Sequence, residues 1–271
     1  MKNRLTVLTT ALALGLPLAA MAAPKAELWP RWEAHEPASE RRIDHAPWTT
    51  FLQRHLRTDR VPHRLDYGGV SEADRDTLDG YLRTLEATAV SRHSRDQQFA
   101  YWVNLYNAAT VKLVLEHYPV KSITKIKSGF FSFGPWDRKL LTVEGQELSL
   151  NDIEHRILRP IFADPRIHYA VNCASIGCPS LASEAFTAAR MEELLDAAAR
   201  RYINSPRGAK IDDGELIVSS IYDWFMADFG GDEAGVLAHL RQYADAKLRR
   251  QLHGRTKIDD YAYDWALNDV R

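Results

Sequence analysis

The spacing of apolar residues along the chain predicts a protein built mostly of helices. The pattern predicts helices in seven segments, which are residues 48–57, 71–86, 94–118, 149–159, 187–204, 219–229 and 232–252. Shorter alternating runs around Gly-containing turns predict hairpins over residues 140–148 and 209–218. Helices combined with short hairpins predict an α+β fold, a single domain with its helices packed around a small, mainly antiparallel sheet.

A further alternating segment leads into the two cysteines of the chain. Apolar and polar side chains alternate over residues 166–172, which predicts a β-strand with Ile167 and Tyr169 on one face and His168 on the other. Cys173 follows the strand directly, and Cys178 comes after four more residues. In an oxidising compartment an even cysteine count favours a disulfide, which a loop this short would stabilise by only about 2 kcal/mol.

The first residues predict export from the cytoplasm. Lys2 and Arg4 precede an apolar run over residues 5–18, and Ala20-Met21-Ala22 offers a small-x-small cleavage site. This pattern is typical of a secretory signal peptide of residues 1–22, and the run is too short to span a bilayer. The mature chain would be periplasmic or secreted. Its Pro-rich residues 23–47 predict an extended lead-in, and residues 48–271 a single globular domain.

The net charge of the chain indicates which kinds of partner it is suited to bind. The formal net charge is −1, and removal of residues 1–22, which contain Lys2 and Arg4 and no acidic residue, would leave it at −3. Nothing here indicates a nucleic acid or an anionic membrane surface, and we expect no cofactor and no membrane span. The expected ligand is a small molecule, a peptide or a glycan.

Two predicted helices carry polar residues on or beside their apolar faces. In the helix predicted over residues 149–159 and ended by Pro160, Glu154 lies in the middle of the apolar arc and His155 beside it. A carboxylate there is either buried with a partner, as in a structural ion pair, or placed at a cleft. In the helix of residues 94–118, Asn104 and Asn107 need hydrogen-bond partners if they are buried, and a neighbouring loop would suffice.

Several motifs in this order resemble the family catalogued as domain of unknown function 547. They are FAYWVNLYNA at 99–108, PVKSI at 119–123, LNDIEHRILR at 150–159, HYAVNCAS at 168–175 followed by CP at 178–179, and YDWALN at 263–268. The resemblance covers residues 45–270 and implies one domain, but the family name implies no reaction. It also implies export, because bacterial members of the family are commonly exported.

The resemblance draws attention to the polar residues inside these motifs. They are Asn104, Asn107, Glu154, His155, His168 and Cys173. Plant relatives can lack the counterpart of Cys178, which makes Cys173 the better candidate for a functional thiol.

The first functional hypothesis is a thiol-dependent hydrolase or acyl transferase. Cys173 would be the nucleophile, His155 its base, and Glu154 or Asn107 the residue that orients the base. Backbone amides of residues 174–177 would form an oxyanion hole, and the substrate would be an amide, an ester or a thioester. A disulfide at Cys173 would remove this nucleophile.

The second hypothesis is a non-catalytic ligand-binding or assembly module of the cell envelope, with a structural Cys173–Cys178 disulfide. Asn104, His168 and Asp264 would then contact the ligand. A polar helix with Asn104 and Asn107, then His168 and a late Asp264 follow the order of the catalytic residues in transglutaminase-like folds. In this chain Asn would replace the nucleophile, which would imply an inactive enzyme used for binding. A metal site from Glu154, His155, His168 and Cys173 matches no zinc spacing and ranks last.

Overall fold

A computed structural model describes residues 24–127, 129 and 133–271 of the chain. The predicted signal peptide of residues 1–22 lies outside this part, as do Phe130 and Phe131. Within the described ranges, no helix has the length and the apolar character that a membrane crossing requires.

Helices make up about half of the described chain. The α-helices are α1 Ala46–His55, α2 Glu72–Glu86, α3 Arg95–His117, α4 Arg159–Phe162, α5 Ile167–Ala170, α6 Met191–Ile203, α7 Ile221–Trp224, α8 Glu233–Tyr243 and α9 Ala246–Leu252. A π-helix, Asp152–Leu158, runs directly into α4. The start of α2 agrees with the predicted boundary, because the Ser71 side chain accepts a hydrogen bond from the amide of Asp74 and caps the helix.

The strands of the described residues form three small sheets. They are β1 Leu56–Arg57 with β2 Arg64–Leu65, β3 Leu141–Val143 with β4 Gln146–Leu148, and β5 Ala209–Asp212 with β6 Glu215–Ser219 and β7 Asp260–Ala262. Only the β6–β7 pair is parallel. Both predicted hairpins and the mixed α+β class with mainly antiparallel pairing are confirmed, although the pairing is divided among three sheets.

Helix α3 lies at the centre of the fold. Every residue from Gln98 to Val111 is buried, so the helix is covered on all sides and not only along one stripe. The segment before α1 packs on this core. Trp32 is only 2% exposed, and its ring contacts that of Trp102 at a centroid distance of 5.0 Å. The lead-in is therefore anchored, with a short 3-10 turn at Pro30–Glu33.

The strand predicted over residues 166–172 is wrong. Asp164 accepts a hydrogen bond from the amide of Arg166, and this turn starts the single-turn helix α5. Every residue of α5 is buried, His168 included. The alternation of apolar and polar residues therefore does not separate a buried from an exposed face. Without such a separation, a period-two pattern does not indicate a β-strand.

Two predicted helix boundaries also differ from the structure. Pro160 does not end its helix, because it lies in the first turn of α4, directly after the π-helix. A proline is tolerated in a first turn, where its missing amide hydrogen would have no partner within the helix. The helix predicted over residues 232–252 is broken before α9. Asp245 starts α9 as its N-cap and accepts a hydrogen bond from the amide of Leu248.

Candidate functional site

The cysteine loop, residues 173–178, is held against the C-terminal segment. The amides of Ile176 and Gly177 donate to the carbonyls of Ala266 and Asp264, each at 2.8 Å. The chains approach so closely at Gly177 that a Cβ atom there would lie 2.8 Å from the amide nitrogen of Asp264. The aromatic C-terminus is thus docked on the body of the protein and forms one wall of the loop.

Arg207 holds the loop from the other side. Its guanidinium donates to the carbonyl of Ile176 at 2.9 Å, to the carbonyl of Cys178, and to the hydroxyl of Ser180 at 3.2 Å. The Tyr202 hydroxyl adds a hydrogen bond to the carbonyl of Gly177 at 2.6 Å. A planar cation with several donors can bind successive carbonyls in this way and fix the shape of the loop.

The two cysteines are close together but not bonded, so the predicted structural disulfide is absent. Their sulfur atoms lie 2.9 Å apart, and both thiols are free. A disulfide bond would require about 2.05 Å. The backbone amide of Cys173 donates to Sγ of Cys178 at 3.0 Å, so the loop keeps the two sulfurs in a hydrogen-bonded arrangement.

The two thiols have different environments. Cys173 is partly exposed, whereas Cys178 is only 6% exposed. The hydrogen bond from Cys178 lowers the pKa of Cys173 to about 7, aided by Ser175 and Tyr263 and opposed by burial. Burial, together with the charge of Cys173, raises the pKa of Cys178 well above its usual value. The Tyr263 hydroxyl lies 3.2 Å from Sγ of Cys173.

A second cluster of buried polar groups lies between the π-helix, α4, α5 and the turn after α7. Asp228 accepts hydrogen bonds from Nε2 of His168 at 2.7 Å and from Nε of Arg159 at 2.6 Å. Nδ1 of His168 lies 3.8 Å from a carboxylate oxygen of Glu154. Burial alone would raise the pKa of Asp228, but these hydrogen bonds with His168 and Arg159 hold it below its usual range.

The π-helix turns two consecutive polar residues inward. Glu154 is 8% exposed, and its neighbour His155 is also buried, which a regular amphipathic helix rarely allows for adjacent residues. Burial raises the pKa of Glu154 to about 7, opposed by Arg159 and Tyr106. The predicted burial of Glu154 with a partner is confirmed.

His155 faces Arg159 and not the cysteines. Its Nδ1 accepts a hydrogen bond from Nη1 of Arg159 at 3.0 Å, and no hydrogen bond of the described residues joins it to Cys173. Burial, and then the charge of Arg159, lower the pKa of His155 to about 3. The structure therefore brings Glu154, His155 and His168 into one cluster beside the thiols. The two clusters are coupled, because the charge of Cys173 helps to raise the pKa of Glu154.

The predicted asparagines bind backbone groups. Asn104 exchanges two hydrogen bonds with the backbone of Phe186, at 2.8 and 3.0 Å. Asn107 donates to the carbonyl of Ala170 at 2.9 Å and accepts from the amide of Asn172 at 2.8 Å, which positions the chain just before Cys173. Both side-chain amides thus bind neighbouring backbone segments, as expected if the asparagines have a structural role and not a ligand-binding one.

Two further sequence predictions concern the loop and the tail. Asp264 is exposed, and its carboxylate accepts a hydrogen bond from the amide of Ala266 at 2.8 Å. The amide of Ala174 donates to the side chain of Asn172 at 2.9 Å, and those of Ile176 and Gly177 donate to the C-terminal segment. Three of the four amides proposed for the oxyanion hole are therefore already engaged within the protein.

Sequence reasoning did not single out Arg207, Tyr106 and Asp228. Tyr106 is buried between the two clusters, and burial, then Glu154 and Cys173, raise its pKa well above the usual value. Tyr106 lies inside the quoted motif of residues 99–108, so attention to its hydroxyl could have found it. Arg207 and Asp228 stand in no quoted motif and carry no local pattern that marks them.

A search of the described ranges finds no group of three or more His, Cys, Asp or Glu side chains arranged to hold a metal ion.

Comparison with known proteins gives one match. Residues 90–203 match the family model described as "Protein of unknown function, DUF547". No curated protein and no solved structure matches the chain. The matched segment contains α3, the π-helix and both cysteines, but it ends before Arg207, Asp228 and Tyr263. The resemblance is thereby confirmed over residues 90–203, where the chain carries a DUF547 domain, whereas the motif at 263–268 lies outside the match.

Proposed function

We propose that this protein catalyses thiol–disulfide exchange, with Cys173 as the attacking thiol and Cys178 as the resolving thiol. The observation that carries the proposal is the pair of free sulfurs 2.9 Å apart, of which one is partly exposed and the other buried. An exposed thiol can meet a substrate disulfide, whereas the buried thiol can reach only its neighbour. Sequential attack by two thiols needs this difference in access.

In the first step, the Cys173 thiolate attacks one sulfur of a substrate disulfide. A bond forms between Cys173 and that sulfur, the substrate S–S bond breaks, and the second substrate sulfur leaves as a thiolate. At neutral pH about half of Cys173 would be thiolate, because its pKa is lowered to about 7. The step therefore needs no histidine base, in agreement with the position of His155.

In the second step, Cys178 resolves the mixed disulfide. Its proton passes to the departed thiolate, its sulfur attacks Sγ of Cys173, and the first substrate sulfur leaves as a thiolate. The substrate disulfide is then reduced to two thiols, and the protein dithiol is oxidised to a disulfide. A low-molecular-weight thiol or a dithiol protein would return the pair to its reduced state, and the same steps in reverse would oxidise a substrate dithiol.

Acyl transfer, the hypothesis from the sequence, is the second candidate. The Tyr263 hydroxyl, 3.2 Å from Sγ of Cys173, favours it, because this group could donate to the oxyanion of an amide, ester or thioester. Against it stand the hydrogen bonds already made by the amides of Ala174, Ile176 and Gly177. His155 also pairs with Arg159 and forms no hydrogen bond with Cys173 among the described residues. Acyl transfer also assigns no role to Cys178.

The proposal includes the compartment. We infer that residues 1–22 are a signal peptide and that the mature protein works in the periplasm or outside the cell. Disulfides persist in such compartments, so both a substrate and an oxidised partner would be present there.

The test uses 5,5′-dithiobis(2-nitrobenzoate), a small disulfide whose thiolate product is coloured. Reduced wild-type protein should release two equivalents of thiolate and end as an internal disulfide without adduct. Cys178→Ser keeps a hydroxyl donor near Cys173 and should stop at a mixed disulfide visible by mass spectrometry. Cys173→Ser should react far more slowly, because only the buried thiol remains.

Two results would overturn the exchange mechanism. One is a stable adduct on wild-type Cys173, because Cys178 would then fail to resolve it. The other combines two findings. Wild-type protein would leave 5,5′-dithiobis(2-nitrobenzoate) intact, and Cys178→Ser would hydrolyse p-nitrophenyl acetate through a thioester at Cys173 as fast as wild type. The second result would favour the acyl-transfer candidate.

A further inference from the structure

Five aromatic rings form a continuous surface that reaches the Cys173 thiol. This aromatic surface consists of Phe133, Trp136, Trp224, Tyr263 and Trp265. Trp265 is at its centre, with ring centroids 4.6 Å from Tyr263, 5.5 Å from Phe133 and 5.6 Å from Trp224. The hydroxyl of Tyr263 then contacts Sγ of Cys173.

None of these rings is buried. Phe133 is 47% exposed, and the other four are partly exposed. Aromatic side chains normally stabilise a fold by complete removal from water, and isolated exposed ones need no explanation. A contiguous group of five rings, one exposed and four partly exposed, is different, because apolar patches on soluble proteins mark binding sites.

Cys173 is partly exposed beside the aromatic surface. Two cavities of the described residues, of about 230 and 600 Å³, are lined by other parts of the chain and contain neither Cys173 nor any ring of the aromatic surface. A small ligand usually fills an enclosed pocket, whereas an extended chain can lie across a surface.

Charge near the thiol adds a second feature of the ligand. Asp223 and Asp264 are exposed, each adjacent in sequence to a ring of the aromatic surface, and neither forms an ion pair with any described residue. At the far end, Asp137 and Arg138 are exposed and carry opposite charges. The end of the surface beside Cys173 therefore favours a ligand with basic groups.

We propose that the aromatic surface binds an extended polypeptide, whose apolar and basic side chains flank the cysteine that reacts with Cys173. The proposal rests on thiol–disulfide exchange as the function. It specifies a protein disulfide as the substrate. The reactive cysteine of a polypeptide has apolar neighbours that the five rings can cover, whereas a small disulfide has none.

The test compares three mixed disulfides that all release 5-thio-2-nitrobenzoate when Cys173 attacks. The first carries an eight-residue peptide with Leu, Phe and Lys around one Cys, the second a peptide with Ser and Glu in those positions, and the third 2-mercaptoethanol. Wild-type protein should react about tenfold faster with the first than with the third, and the second peptide should show no such preference.

Phe133→Ala should lower the ratio of the rate with the Leu-Phe-Lys peptide to the rate with 2-mercaptoethanol several-fold. The Phe133 side chain is 47% exposed and forms an outer part of the aromatic surface. Leu28→Ala, a truncation of another exposed apolar residue, is the matched control and should leave the ratio unchanged.

The two proposals fail in different ways. If none of the three probes reacts at Cys173, exchange itself is wrong. If all three react equally, or if Phe133→Ala behaves like Leu28→Ala, exchange stands and the polypeptide surface is wrong. A chito-oligosaccharide that changes the tryptophan fluorescence while both peptides react equally would overturn the proposal in favour of a glycan surface.

Discussion

The backbone amide of Cys173 donates a hydrogen bond to the sulfur of Cys178, with 3.0 Å between nitrogen and sulfur. The loop therefore folds back on itself and places the buried thiol next to the partly exposed one. The carbonyl of Cys178 is held in turn by Arg207, so the relative position of the sulfurs depends on a residue outside the loop.

Alkylation of Cys173 by iodoacetamide should follow a titration centred near pH 7. Only the thiolate reacts, so the rate should fall about tenfold per pH unit below that value. Cys178→Ala removes the strongest cause of the lowered pKa and should move the midpoint upward, whereas Cys178→Ser should move it less because a hydroxyl can still donate. Labelled peptides identified by mass spectrometry give the rate, and a wild-type midpoint near 9 would contradict the proposed thiolate.

Glu154→Gln should change how stability depends on pH. The pKa of Glu154 is raised to about 7 in the folded protein, above its unfolded value of 4.5. Its contribution is fully present below pH 4.5 and is lost as the pH rises through 7, by on the order of 3 kcal/mol.

The Glu154→Gln variant lacks this loss. The difference in free energy of unfolding between wild type and variant should therefore shift against wild type from pH 4.5 to 8. Urea titrations at several pH values measure it, and a constant difference would mean that Glu154 is ionised normally in the fold.

Arg207→Ala should destabilise the protein and loosen the cysteine loop. The substitution leaves the carbonyls of Ile176 and Cys178 without their donor, and hydrogen bonds to charged groups contribute about 1.5–3 kcal/mol each. Arg207→Lys should recover only part of the loss, because an ammonium group lacks the planar fork. Arg250→Ala, which removes an exposed arginine, is the control. Equal thermal midpoints for Arg207→Ala and Arg250→Ala would mean that the hydrogen bonds of Arg207 to the cysteine loop do not stabilise the protein.

Asp228→Ala should be among the most destabilising single changes in the protein. It leaves the buried guanidinium of Arg159 without its carboxylate partner, and breaking a buried ion pair from one side costs about 3–5 kcal/mol. Asp212→Ala, which breaks an exposed pair with Lys210, should cost less than about 1 kcal/mol. Chemical denaturation of both variants gives the comparison. Similar losses would mean that the Asp228 cluster is well hydrated.

Exported protein should begin at Ala23, with cleavage after Ala22. N-terminal sequencing of material from the periplasm or the medium checks this, with whole-cell precursor as the control. Secreted protein that still begins with Met1 would contradict the predicted signal peptide.

Local sequence determined the elements that need only nearby residues. Helix α2 has an apolar stripe and a capping serine within its own sixteen-residue stretch, so its limits follow from Ser71 to Glu86. The two hairpins are similarly local, because each pairs strands across a short turn. The burial of Glu154 was also predictable, because its neighbours on the same helix face are apolar.

Patterns failed where an element is covered on all sides. The alternation in residues 166–172 predicted a strand, yet helix α5 is buried on every side, and periodicity carries no information about such a segment. The inward turn of both Glu154 and His155 depends on the π-helix, whose wider turn no amphipathic pattern indicates.

Only the tertiary structure decided which polar groups meet. Cys173 contacts Tyr263, ninety residues later in the chain, while His155 pairs with Arg159 on its own helix and not with the thiol. The sequence determined that a thiol, a carboxylate and two histidines exist near one another in the chain. Their partition into a thiol pair and a separate Asp228 cluster follows from the packing of α3, the C-terminal segment and Arg207 around the loop. Such contacts depend on distances in space that spacing along the chain does not encode.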